Sequence, residues 1–191
     1  GVPVPRGLVV PVVDAVVASA SLTGRVVVKA TGMAHKTEAG RVAVDLAGAA
    51  EVGAALAGMG LADDAPVLVE EFVDDAVVEL LVSVRREPPV GWLLTLGIGG
   101  TLVELLGDTT SLLLPVDADE VLAALRGLAG WPLIEGHRGN PPADLDALVA
   151  TILGIVGVVE VRPDLVELEC NPVLARPVGA ITVDALAIVV D

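Results

Sequence analysis

Apolar residues dominate this chain, yet no apolar run goes far before it is cut. Hydrophobic residues fill 54% of its 191 positions. The longest stretch without a charge is 88–103, and it holds two prolines and four glycines. A membrane-spanning helix needs about 18 or more continuous apolar residues, so no membrane partner is expected. Short Val-rich segments bounded by Gly and Pro read instead as the strands and helices of a mixed α/β (α+β) fold. A chain this long and this apolar can bury a substantial core, and it is too hydrophobic for global disorder.

Charge narrows the function classes. Eleven Lys and Arg stand against 26 Asp and Glu, a net charge of −15. The only aromatics are Trp92, Trp131 and Phe72. Nucleic-acid binding wants cationic grooves and stacking platforms, so nucleic acid is not expected as a partner. The single cysteine, Cys170, cannot form an internal disulfide or a multi-thiolate metal site. It reads as a small core hydrophobe, and a reducing cytoplasm fits it. No basic stretch followed by an apolar one opens the chain, so no signal peptide is expected. The start Gly1-Val2-Pro3-Val4-Pro5, without a methionine, reads as that of a fragment.

Along the chain, Val26-Val27-Val28 is a β-branched run that predicts a buried strand ending at Lys29. A second strand is expected over 41–46, a helix over 49–59 and a third strand over 67–72. Asp74-Asp75 breaks the pattern. Strands over 77–85 and 92–96 flank the turn at Pro88-Pro89. A glycine loop, Gly97-Ile98-Gly99-Gly100, precedes strands over 101–106 and 111–114. Asp117 is an N-cap with Glu120 as its capping-box partner, and that helix runs to about Leu128. A further helix covers 143–156, and strands over 165–170 and 180–190 close the chain. The division expected is a small lobe over 1–69 and a larger one over 70–191.

Four groups of residues are candidates for chemistry. Lys29, His35 and Lys36 hold both of the chain's lysines within eight residues, where arginine otherwise supplies the positive charge. A lysine at a strand end delivers a compact point charge to a phosphate, and His35 adds a titratable imidazole; solvated loop residues are the alternative, which the clustering of both lysines weighs against. Gly99 and Gly100, followed by Glu104 and Asp108, can bring backbone N–H groups close to phosphate; a plain turn explains the same glycines. Glu167, Glu169 and Asn171 fall on one face of a strand because side chains alternate. Oxygen-bearing side chains there suit Mg²⁺, with Asp184, which interrupts the next apolar strand, as a further ligand; a solvent-facing strand edge is the alternative. Glu70-Glu71-Phe72-Val73 run from a strand into an acidic turn. A purine can sit on such a hinge through main-chain hydrogen bonds, with Glu79 near the ribose, and a surface turn accounts for the pattern equally well. His137 and Arg138 read as an exposed loop, and Trp131 as packing at a helix end.

Taken together and in order, these segments resemble the ATP-grasp domain of NDP-forming (ADP-forming) acyl-CoA synthetases, the nucleotide-binding β portion related to the succinyl-CoA synthetase β subunit. The resemblance spans nearly the whole chain. Gly1 to Pro5 is similar to the family's "GIPVP", Val27-Val28-Lys29 to "VLK", and His35-Lys36-Thr37-Glu38 to "HK(S/T)D". The run from Val67 to Val73 is similar to "VLVQEMV", and Gly97 to Gly100 with Glu104 and Asp108 to "GLGG…E…D". The run from Pro132 to Gly139 resembles "PLLEGVRG", Glu169-Cys170-Asn171-Pro172 resembles "(D/E)xNP", and Thr182 to Ala185 resembles "AVDA".

The resemblance implies an ATP-grasp fold of two lobes with the nucleotide between them. Lys29 would hold the nucleotide phosphates, and Glu70 to Val73 would line the adenine pocket. Asn171 and Asp184 would ligate Mg²⁺, with Glu169 in the phosphoryl-transfer site. His35 would carry phosphate between a partner-domain phosphohistidine and ADP, so that acyl-CoA, ADP and phosphate interconvert with acid, CoA and ATP. CoA-binding and swinging-histidine domains, on the same polypeptide or an α subunit, would be the partners. Two positions depart from the pattern: Leu112 stands where the family usually has arginine, and Arg41 where it usually has glycine. An alternative implied by these departures is a catalytically degenerate regulatory domain of a lysine acetyltransferase.

Overall fold

The computed structural model describes residues 1–32, 40–99 and 107–190. Two compact units emerge, Pro5–Asp74 and a second formed by Gly1–Val4 with Asp75–Asp191. The sequence reading divided the chain after residue 69. In the structure the last strand of the first unit runs on through Glu71, so the division falls after Asp74. The opening residues join the second unit, where the Thr182 amide donates to the Pro3 carbonyl at 2.9 Å.

The first unit is a four-stranded antiparallel sheet in the order β1-β4-β2-β3. Its strands are β1 (Gly7–Pro11), β2 (Val26–Ala30), β3 (Val42–Leu46) and β4 (Pro66–Glu71). Helices α1 (Val12–Ser19) and α2 (Ala49–Met59) complete it. Alternation sorts the strand side chains. Val26, Val28, Val67 and Val69 join Ala15, Val52, Leu56 and Met59 in one buried cluster. Val27, Lys29 and Glu70 occupy the other face. The expected α2 has the expected bounds and ends in the left-handed Gly60, at φ 58°. Arg41, one of the two departures, donates from Nη1 to the Met59 carbonyl at that helix end. The pair β1–α1 was not foreseen. Its Val-rich sequence carries little helical signal, and α1 exists because Ala15 and its neighbours pack on the sheet.

The second unit is a six-stranded antiparallel sheet, β10-β8-β5-β6-β7, with β9 also paired to β8. Its strands are β5 (Val78–Glu87), β6 (Gly91–Ile98), β7 (Thr109–Leu113), β8 (Leu165–Ala175), β9 (Ala180–Thr182) and β10 (Ala185–Val189). Helices α3 (Ala118–Arg126) and α5 (Leu145–Val161) pack on one face, and the short α4 (Trp131–Ile134) lies between them in sequence. Leu80, Val82, Leu94, Leu96, Leu168 and Cys170 meet Val121, Leu125, Leu148, Ile152 and Ile155 in the core. The Asp117–Glu120 capping box forms as expected, with both bonds at 2.9 Å. Trp131 packs partly on this core and carries the Arg126 guanidinium 5.8 Å from its ring centroid. The single strand expected over 180–190 is corrected to β9 and β10, which the segment Val183-Asp184 separates. The strand expected over 101–106 lies outside the described residues.

Candidate functional site

In the first unit, Lys29 and Glu70 are partners. The register sets Val27 opposite Glu70 and Lys29 opposite Leu68, so the two charged side chains are diagonal neighbours on one face. Lys29 Nζ lies 2.5 Å from Glu70 Oε1, and the side chains are only 8% and 7% exposed. Gly7 stands directly opposite Glu70 on β1, and a Cβ there would come within 2.8 Å of the Glu70 Cβ. Glycine at that position makes room for the acid.

Beyond Glu70, β4 runs into the acidic turn. Glu71 Oε1 accepts from the Thr23 hydroxyl at 2.6 Å and the Thr23 amide at 3.1 Å. These bonds hold the Glu71 carboxyl below the usual carboxylate range, with the Arg6 charge adding to them. The Glu71 and Phe72 amides donate to the Arg6 and Arg25 carbonyls at 2.9 and 2.8 Å. Phe72 and Val73 remain half-buried. His35, Lys36, Gly100 and Glu104 lie outside the described residues.

In the second unit, burial alternates along β8 as the sequence implied. Leu168 and Cys170 point to the core, while Glu167, Glu169 and Asn171 take the opposite face. Asn171 Nδ2 approaches Glu169 Oε1 at 3.5 Å. Asp184 arrives from sequence-distant chain through pairing: Ala185 opposes Cys170, and the Asn171 amide donates to the Asp184 carbonyl at 3.1 Å. Its carboxylate Oδ1 accepts the Ala185 amide at 3.0 Å. Burial, followed by the charges of Glu169 and then Asp184, pushes the Cys170 thiol up to about 11.

Among the described residues, no three His, Cys, Asp or Glu side chains converge as a metal cage. Asn171 and Asp184 nevertheless suit Mg²⁺. That ion usually takes one or two protein carboxylates and fills the rest of its octahedron with phosphate oxygens and water.

Other expected residues have structural duties. The Gly99 amide donates to the Glu79 carbonyl at 2.5 Å, and a Cβ on Gly99 would lie 2.8 Å from that carbonyl's carbon and oxygen. Close approach of the Glu79 main chain thus explains why residue 99 is glycine. Glu79 itself is exposed on β5. Asp108 accepts the Ala129 and Gly130 amides, both at 2.8 Å, and so ties the α3–α4 connection to the start of β7. Leu112 opposes the fully buried Leu94 and packs on the helix-covered core. That departure from the family pattern therefore sits on the face away from Glu169. His137 is exposed in its loop, as expected.

Sequence reasoning missed a row of hydroxyls. Ser83 stands opposite Glu169, Thr95 opposite Ser83, and Ser111 opposite Thr95. Thr95 Oγ1 and Ser111 Oγ are 3.1 Å apart. The only local signal is a serine between valines in Val82-Ser83-Val84. Register alone aligns it with Glu169.

Comparison with known proteins bears on the family and the fold. A family model described as an ATP-grasp domain matches residues 1–189. An ADP-forming acetate–CoA ligase of Methanocaldococcus jannaschii is 30% identical over 185 residues, covering 91% of this chain and 26% of the ligase. The β subunit of the ADP-forming acetate–CoA ligase I of Pyrococcus furiosus is 31% identical over 107 residues, 56% of this chain and 46% of the subunit. This chain thus spans about a quarter of the first relative and less than half of the second. Among solved structures, the dinucleotide forming acetyl-coenzyme A synthetase 1 of Ca. Korarchaeum cryptofilum aligns with all of this chain. Its complex with coenzyme A and Ca-AMPCP gives a TM-score of 0.88 at 28% identity, covering 87% of that chain. Its complex with coenzyme A and Mg-AMPPCP gives 0.84 at 29%, covering 86%. With a match over almost its full length, the chain belongs to the ATP-grasp family and is homologous to the corresponding portion of ADP-forming acyl-CoA synthetases.

Proposed function

We propose that this chain is the nucleotide-handling portion of an ADP-forming acyl-CoA synthetase, interconverting acyl-CoA, ADP and phosphate with acid, CoA and ATP. The observation that carries the reading is the pairing of β8 with β10, which brings Asp184 to Asn171 with Glu169 alongside. Asn171 and Asp184 hold Mg²⁺, and bound Mg²⁺ neutralises phosphate charge. Lys29 meets the nucleotide phosphates as a point charge, and Lys36 and Gly100 add to that set. Residues 70–73, with Glu79 and Gly99, belong to the nucleotide-binding set. Phosphoryl transfer depends mainly on positioning and charge neutralisation, which this chain's own side chains supply.

His35 is the relay. Its neutral imidazole attacks phosphorus, a P–N bond forms, and the bond to the donor breaks. ADP then takes the phosphoryl group and the imidazole is restored. The relative from Ca. Korarchaeum cryptofilum supports the delivery of phosphohistidine to the nucleotide, because its Mg-AMPPCP complex has a phosphohistidine segment pointing towards the nucleotide binding site. The relatives' greater length supports CoA-binding and swinging-histidine domains as partners, in the same polypeptide or in an α subunit. The absence, among the described residues, of a helix long and apolar enough to cross a membrane is compatible with a cytoplasmic setting.

Calorimetric titration with Mg·ATP tests the site. The parent chain should bind, and Lys29→Ala and Asp184→Ala should each bind at least tenfold more weakly, the scale of one lost charge-assisted contact. No heat from the parent sinks the nucleotide reading. The relay is tested with the partner domains added: acid-labile phosphate should appear on His35, and full turnover by His35→Gln would remove the relay.

A further inference from the structure

The buried pair Lys29–Glu70 changes what the phosphate anchor can select. Lys29 is the cation assigned to the nucleotide phosphates, yet its ammonium already has a carboxylate 2.5 Å away. Both residues are more than nine-tenths buried. The acid's place is built into the sheet, because Gly7 leaves room for the Glu70 Cβ where any side chain would collide. A phosphate oxygen at about 3 Å from Nζ and on its far side lies roughly 5–6 Å from the carboxylate, so Glu70 cancels about half of the pull of Lys29 on each phosphate charge. The cancellation penalises a ligand in proportion to its charge. A divalent cation removes about half the charge of a nucleoside triphosphate, so the metal complex is penalised less than the free polyanion.

Resting on the nucleotide reading above, we propose that Glu70 is a specificity-determining residue. As the counter-ion of Lys29, it makes the site favour metal-complexed nucleotide over the free polyanion. Glu70 acts through charge alone, by weakening the pull of Lys29 on the phosphates. This role is separate from any contact of residues 70–73 with the base, because it acts on the phosphate charge and is indifferent to the identity of the base.

The test compares ATP binding in EDTA with ATP binding in excess Mg²⁺, by calorimetry, for the parent and for Glu70→Gln and Glu70→Asp. The parent should favour the Mg complex. In Glu70→Gln that preference should shrink by about tenfold, mainly because metal-free ATP binds more tightly. Glu70→Asp, which keeps the charge but loosens the pair, should move it in the same direction by less. A folded Glu70→Gln whose preference stays within about twofold of the parent value overturns the inference. Should circular dichroism show that Glu70→Gln does not fold, the Asp variant decides: an unmoved preference overturns the inference and a reduced one supports it. A parent that binds no nucleotide in either condition overturns the nucleotide reading first and this inference with it.

Discussion

Replacing Lys29 by methionine should destabilise the first unit far more than loss of an ordinary surface ion pair. Nζ lies 2.5 Å from Glu70 Oε1, with 8% and 7% of the side chains exposed. At an effective dielectric of about 20, unit charges this close attract by roughly 6–7 kcal/mol. Taking each ion out of water costs several kcal/mol, so the intact pair contributes little net stability. Methionine removes the attraction but leaves the carboxylate buried between Gly7 and Val27, its neighbours across the strands. Breaking a pair in this way costs about 3–5 kcal/mol. With a urea m value of about 2–3 kcal/mol/M, the midpoint should fall by about 1–2.5 M. The double variant Lys29→Met/Glu70→Met discards both charges and both desolvation costs, and should return to within about 1 kcal/mol of the parent or exceed it. Urea unfolding followed by circular dichroism measures all three proteins. A double variant less stable than either single would refute the reasoning, because the two side chains would then contribute independently.

Other expectations follow from single contacts. Gly99→Ala sets a Cβ 2.8 Å from the Glu79 main-chain carbonyl, which cannot swing aside, so thermal unfolding should show a loss of about 1–3 kcal/mol; a variant as stable as the parent contradicts the close-approach explanation. Asp117→Ala removes the acceptor for the Glu120 amide and keeps the bond from the residue-117 amide to the Glu120 carboxylate, for a loss of about 1 kcal/mol, while Asp117→Ser should keep most of the stability. Cys170, raised from an ordinary value near 9 to about 11, should stay a thiol at pH 8 and resist alkylation in the folded protein. The unfolded chain releases this proton first. Stability from this group is therefore complete below pH 9 and declines as pH climbs towards 11, which pH-dependent urea midpoints will show.

Much of the local structure was legible because its causes are local. Helix α2 could be read from a run of helix formers ending at a glycine, and α3 from Asp117 with Glu120 three residues on. The split of β8 into a core face with Cys170 and an opposite face with Glu169 and Asn171 follows from alternation alone. Helix α1 was illegible for the same reason in reverse. A segment of valine and alanine states no helical preference, and only packing against the sheet selects one. The strand expected over 180–190 failed because an apolar run does not mark where Asp184 leaves the ladder.

By itself, then, the sequence determined the fold class, most elements, the order of the motifs and the candidate residues one by one. Tertiary structure decided which of those residues meet. The ion pair of Lys29 with Glu70 spans two strands far apart in the chain. The approach of Asp184 to Asn171, and the hydroxyl row from Glu169 through Ser83 and Thr95 to Ser111, likewise depend on strand register. Register is set by the burial of whole faces and by long-range pairing, since a slip of one residue sends every side chain to the other side of the sheet. No window of sequence contains that information, and so the counter-ion of Lys29 is decided only by the pairing of β2 with β4.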